Sequence, residues 1–164
     1  MSIDSTSRFL EAHGERLAAW RGRTLDATWV AWDLDENAFF ADEAVILQIG
    51  GQQVQVVCWR LTDIALTWTT IDLDRPPAWV SDWGPEIRLE WRIDALDPLR
   101  KARGATLLDV HLIEHRPRVD AEGWWLNGLQ LTHTAGILGI FNALDENGIT
   151  DRSLDSELVR SARV

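Results

Sequence analysis

The sequence predicts an α+β fold: one domain with a largely antiparallel sheet built from two related helix–strand–hairpin units, plus two short helices. Three observations lead there. Sliding the 164-residue chain on itself by 82 positions brings Gly22 onto Gly104. It also matches Leu17/Leu99, Arg21/Arg103, Thr24/Thr106, Leu25/Leu107, Leu47/Leu129 and Gln48/Gln130. Each matched glycine follows a helical pattern and precedes an extended one, and each extended pattern is followed by a turn between apolar runs.

The first helix is expected over residues 7–20, where Phe9, Leu10, Leu17 and Trp20 recur near helical spacing. Ser7 is placed to cap it and Gly22 to stop it. A strand follows over 24–32. Strands over 44–49 and 54–59 flank Gly50-Gly51, a hairpin dipeptide. Residues 87–93 alternate cleanly, which predicts a strand with an apolar face inward and a charged face to water. Asp97-Pro98 reads as N-cap and first position of a second short helix that stops at Gly104. Strands then run over 106–115, 126–133 and 137–142, the last two joined through Thr134-Ala135-Gly136. Asn127-Gly128 is itself a hairpin dipeptide, but a turn there would leave strands too short to pair, so it is placed mid-strand.

Residues 74–86, with paired prolines and two tryptophans, are expected to be an ordered loop packed on the body. One domain is expected over 1–152, with the related units at about 17–59 and 99–142. The remainder, 153–164, reads as a polar tail that frays.

Composition narrows the function. The 26 acidic side chains outnumber the 16 basic ones, a net charge of −10, and no basic stripe offsets this, which argues against nucleic acid. A single cysteine, Cys58, fits a reducing compartment. The N-terminus has neither basic start nor apolar stretch, and no run approaches the roughly 18 apolar residues of a membrane span. A cytoplasmic location without membrane contact is expected. The sequence sets no limit on self-association.

Several patterns resemble chemistry without supplying it. His111-Leu-Ile-Glu114-His115 has the reversed zinc-protease spacing. It lies in a predicted strand, where residues four apart are roughly 13 Å from one another, too far to share one zinc. Asp33–Asn37 begins like a calcium loop but has Ala38 at the sixth position and Ala44 at the twelfth. The cluster Asp145, Glu146, Asn147 and Asp151 around Gly148 reads as an Asx-turn, with a weak cation site as the alternative. Serines concentrate near the termini, Lys101 is the only lysine, and no glycine-rich phosphate or dinucleotide motif occurs. Neither an enzyme, a metal nor a cofactor is expected.

Ten tryptophans among 164 residues exceed what a core of this size requires. Most are expected to be buried, with Trp79, Trp83 and Trp125 exposed beside carboxylates as an interface. The leading expectation is a non-enzymatic protein-binding domain, an acidic immunity- or antitoxin-type protein that neutralises a basic partner. The alternative is a module that binds a ring or sugar. In that reading, pairing sums of 238 and 269 set His111, Asn127 and Asn142 in one row across three strands, with Trp125, Asp145 and Asn147 nearby.

Overall fold

Residues Ser5–Ala18 form α1, and the chain then turns through Gly22, whose φ of 78° is the left-handed conformation that glycine adopts without penalty. The computed structural model describes residues 5–59, 63–79, 84–116, 119–120, 122–154, 156 and 159–164. Most regular residues are in strands; the two helices and two antiparallel sheets share one core and make one small domain.

The first sheet contains β1 (Leu25–Asp33), β2 (Ala38–Phe39), β3 (Val45–Ile49), β4 (Gln52–Trp59), β5 (Asp63–Thr67) and β6 (Leu89–Ile93). Strands β1, β3, β4 and β5 follow one another as an antiparallel meander, and β6 returns to pair with the other edge of β1. After α2 (Asp97–Ala102) the second sheet repeats this order. Strands β7 (Leu107–His115), β8 (Trp125–His133), β9 (Gly136–Asn142) and β10 (Asn147–Thr150) form the meander, and β11 (Val159–Arg163) returns to β7. The sheets are joined at the starts of β1 and β7 by an antiparallel bridge between Thr24 and Thr106.

Alternation along the strands fills the space between the sheets. Val45, Leu47, Ile49, Val54 and Val56 meet Leu129, Leu131, Leu138 and Ile140, and α1 contributes Phe9 and Leu17 to the same cluster. Cutting any fully buried leucine here to alanine is worth about 2–5 kcal/mol. The chain itself covers part of the outer faces. Past β5 the chain lies along the first sheet: the Ile71 amide donates to Gln53 Oε1 at 2.6 Å, Gln55 Nε2 donates to the Thr69 carbonyl, and Ile46 of the same sheet is fully buried. Of the loop expected over 74–86, residues 80–83 lie outside the described residues. On the second sheet, Leu154 lies against Gly139.

Several sequence expectations need correction. Helix α1 starts at Ser5 and ends before Trp20, which lies in the following turn. Leu96, not Asp97, is the N-cap of α2 and it makes no side-chain cap; Asp97 is the first helical residue and pairs with Arg100 one turn on. The apolar face of β6 is not wholly inward, since Ile93 is 49% exposed on this edge strand. The 153–164 segment supplies β11, because β7 would otherwise leave an unpaired edge. Strands β5 and β10 were not expected; they are short, and Asn147–Thr150 has no hydrophobic alternation.

Candidate functional site

Asn147 fastens the two sheets together. Fully buried at the start of β10, it donates from its side-chain amide to the carbonyls of Ala41 and Glu43 at 3.0 and 2.7 Å. Its Oδ1 accepts the Cys58 amide of β4 at 3.1 Å, and its own backbone N–H donates to Ala41 O at 2.9 Å. Four hydrogen bonds from one residue therefore hold the 41–44 loop and the end of β4 against the β9–β10 turn.

That turn is unusual. Ala143 N–H donates to Glu146 O at 2.8 Å, and the central residues Leu144 and Asp145 have φ of 62° and 82°. Both are left-handed, as in the tight hairpin turns that favour Asn-Gly. A leucine in that conformation costs about 1–2 kcal/mol. Leu144 does not recover this by packing, being 80% exposed. Asn142 steadies the turn by accepting the Asp145 amide at 2.9 Å.

Clamping loop to turn brings like charges together. The Asp42 carboxyl is pushed above its ordinary range, first by partial desolvation and then by repulsion from Glu146 and Asp145. None of these three carboxylates has an ion-pair partner among the described residues. Since β8 and β9 are antiparallel, the start of β8 adjoins this same end, and it carries Trp125, 41% exposed. An exposed leucine, an exposed indole and three carboxylates thus share one end of the molecule.

The remaining expected site residues are dispersed. His111 pairs with Gln130 rather than Asn127, because the β7–β8 register sums to 241 and not 238 over this stretch (111 + 130). The odd slip flips the face. His111 lies on the outer face, between core-facing Val110 and Leu112, whereas Asn142 follows core-facing Ile140 by two and lies on the inner face. Asn127 is the extra residue of a bulge, since Ile113 pairs with Gly128 and Glu114 with Leu126. The expected row of His111, Asn127 and Asn142 is therefore not assembled. The β8–β9 sum of 269 is met throughout, as in Gly128 with Phe141 (128 + 141).

His111 instead stands 3.7 Å from Asp109. Burial pushes the Asp109 carboxyl up, but hydrogen bonds from Arg21, Arg163 and the Val110 amide outweigh this and hold it below its ordinary range. The histidines of the His111–His115 pattern are on a strand, as expected. The oxygen cluster beyond Asn142 does not converge either: the Asn147 side chain is fully used, and Asp151 pairs with Lys101. Among the described residues no group of three His, Cys, Asp or Glu side chains could hold a metal.

The tryptophans are less buried than expected. Among those whose side chains are described only Trp20 is buried. Others are half-buried and stacked: Arg92 lies over Trp32, Arg16 over Trp68, and both Arg116 and Arg160 over Trp124. Trp79 is half-buried with its ring edge-on to Phe40 at 5.1 Å, and Trp83 lies outside the described residues. Of the expected interface indoles that are described, Trp125 is exposed and Trp79 is not.

Asp42 and Leu144 were not singled out by sequence reasoning, and Glu146 entered only as a member of the oxygen cluster around Gly148. Asp42 is about a hundred residues away along the chain, and only the Asn147 clamp joins it to the turn. No described helix is long and apolar enough to cross a membrane. Compared with protein-family models, curated proteins and solved structures, the chain matches none.

Proposed function

We propose that the protein is a non-enzymatic binding domain that captures a basic protein partner, in the manner of an immunity protein, through the end that carries Asp42, Leu144, Asp145, Glu146 and Trp125. The observation that carries this reading is a group of three carboxylates, Asp42, Asp145 and Glu146, without an ion-pair partner among the described residues, at the turn that presents Leu144. A fold does not gain stability from three neighbouring carboxylates without cations, nor from an exposed leucine held left-handed. A cationic partner surface would relieve the repulsion, and burying Leu144 and Trp125 would add apolar area. Such anchors are typically worth about 2 kcal/mol or more each. The excess of acidic side chains extends the attraction beyond the contact.

The experiment is affinity capture from the native host with immobilised wild type, Leu144→Gly and Trp125→Ala. A basic protein retained by wild type and released from both variants supports the reading; equal capture by all three rejects it. Cys58 fits a reducing, cytoplasmic setting, being buried with its thiol pushed up to about 12 by desolvation.

We also read the chain as an internal duplication. The support is a set of reciprocal bonds: Gly22 N–H donates to Leu107 O and Gly104 N–H to Leu25 O, while Leu107 N–H donates to Arg23 O and Leu25 N–H to Ala105 O. Every partner is exchanged for its counterpart 82 residues away. Both first strands also carry a bulge at the same place, between Leu25 and Ala27 and between Leu107 and Asp109. Both meanders turn through two residues, after Ile49 and after His133. The offset becomes 84 there (133 − 49), so Leu47 corresponds to Leu131, not to Leu129 as the sequence match implied. In this reading the acidic turn belongs to the second unit alone, a specialisation of one copy.

A further inference from the structure

We propose that a cleft between the end of α1 and the β3–β4 hairpin is a binding site for a small organic anion, one carboxylate or phosphate group on a ring-sized apolar body. The cleft has a volume of about 190 Å³, with Trp20 and Ile49 among its lining residues and Arg16, Arg23 and Gln52 beside them. It lies at the opposite end of β4 from the Asn147 clamp and so is separate from the acidic end.

Charge pairing bears on the cleft. In this acidic chain eight other arginines stand in ion pairs with carboxylates: Arg21, Arg75, Arg88, Arg92, Arg100, Arg103, Arg160 and Arg163. Arg8, Arg16, Arg23 and Arg152 have no such partner among the described residues, and two of these four, Arg16 and Arg23, line the same cleft. The carboxylate that reaches this hairpin, Asp26, is engaged by the Gly51 amide at 2.8 Å. Unneutralised guanidiniums raise the potential there, and His13 one turn before Arg16 registers it. Its pKa is lowered first by burial and then by Arg16.

Arg16 is held in place, and the stem of Arg23 runs beside the hairpin. Arg16 stacks over Trp68 at 5.0 Å from the ring centroid, and Trp68 is fixed by donating its indole N–H to His13 Nδ1 at 3.1 Å. Arg23 lies against Gly50, where an added Cβ would come within 3.1 Å of its Cδ. Two guanidiniums positioned in this way suit an oxyanion, for which their fork geometry is matched. The apolar residues between them are aromatic and aliphatic, and the volume is of the order of the ~150 Å³ cavity that admits benzene. A body of that size carrying one anionic group fills the space.

The test is titration of the 15N-labelled protein with phenyl phosphate, benzoate and inorganic phosphate, followed by NMR. Saturable shifts confined to residues around Trp20 and Gly50, with dissociation constants near or below ~1 mM for the ring-bearing anions, are expected. Arg16→Gln and Arg23→Gln should each weaken binding about tenfold, with spectra otherwise unchanged, while Arg152→Gln at an exposed arginine elsewhere should leave it intact. Absence of saturation, equal loss in Arg152→Gln, retained affinity in both cleft variants, or inorganic phosphate binding as tightly as phenyl phosphate would each overturn the proposal.

Discussion

Gly22 and Gly104 do the same work for each other's strand. Gly22 N–H donates to the carbonyl of Leu107 at 2.8 Å, and Gly104 N–H to the carbonyl of Leu25 at 2.7 Å. Both residues are left-handed, with φ of 78° and 74°, and a Cβ added at either would meet nothing within 4 Å. Each hydrogen bond ties the turn that ends one helix to the first strand of the other sheet.

Gly22→Ala and Gly104→Ala should therefore cost about the same, roughly 1–2 kcal/mol from backbone strain alone. Urea denaturation measures it. Gly128→Ala is the contrasting case: its Cβ would sit 2.4 Å from the Ile140 carbonyl and 2.8 Å from Phe141 Cα, backbone that cannot move aside. Its cost should be about 3 kcal/mol or more.

These glycines were legible in the sequence because a left-handed stop after a helical pattern has a local signature. The hairpin at Gly50-Gly51 and the β8–β9 register were legible too, although the turn after His133 takes two residues and not the three of Thr134-Ala135-Gly136. The β7–β8 register was not. It is set by two bulges, near Leu108 and at Asn127, which no periodicity reveals, and a slip of three residues dispersed the expected row of His111, Asn127 and Asn142. The acidic end was half legible: Trp125 and Asp145 were named, but Asp42 joins them only through a long-range clamp.

Asn147 should be among the most sensitive polar positions. Asn147→Ala removes two side-chain donations and leaves the Cys58 amide without its acceptor, in a fully buried setting. A loss of about 2–4 kcal/mol is expected by denaturation. Asn147→Asp, nearly isosteric, should be as damaging at neutral pH and partly recover at acid pH, where the carboxyl is protonated and can donate.

His133 predicts the response to mild acid. It is buried, and burial pushes its pKa down, only partly offset by a backbone hydrogen bond with Ile137. A histidine whose folded pKa lies below its unfolded value binds its proton more readily when unfolded. Stability is thus full above the unfolded pKa of about 6.5 and falls as pH drops toward the lowered folded value. His133→Ile copies Ile49, which occupies the matching hairpin position in the first sheet. Thermal melts at pH 8 and pH 5 should show the wild type losing more stability than the variant. Equal losses would place the acid sensitivity elsewhere.

Asp42→Asn separates stability from binding. Because desolvation, and after it repulsion from Glu146 and Asp145, raises the Asp42 pKa, its ionised form opposes folding at neutral pH. The neutral amide should leave stability unchanged or raise it, by no more than about 0.5 kcal/mol. A partner drawn by charge should nevertheless associate more slowly with the variant, as stopped-flow mixing at low salt would register.

The most direct measurement is the association rate of the captured basic partner, for wild type and for Asp42→Asn with Glu146→Gln, across rising ionic strength. The prediction is a rate that falls steeply for wild type as the Debye length shortens from ~30 Å at 0.01 M salt to ~8 Å at 0.15 M, with a dissociation rate that changes little. The double variant should start slower and depend less on salt. Rates that are identical for the two proteins, or that do not respond to salt, would contradict an acidic docking end built from Asp42, Glu146 and the turn around Leu144.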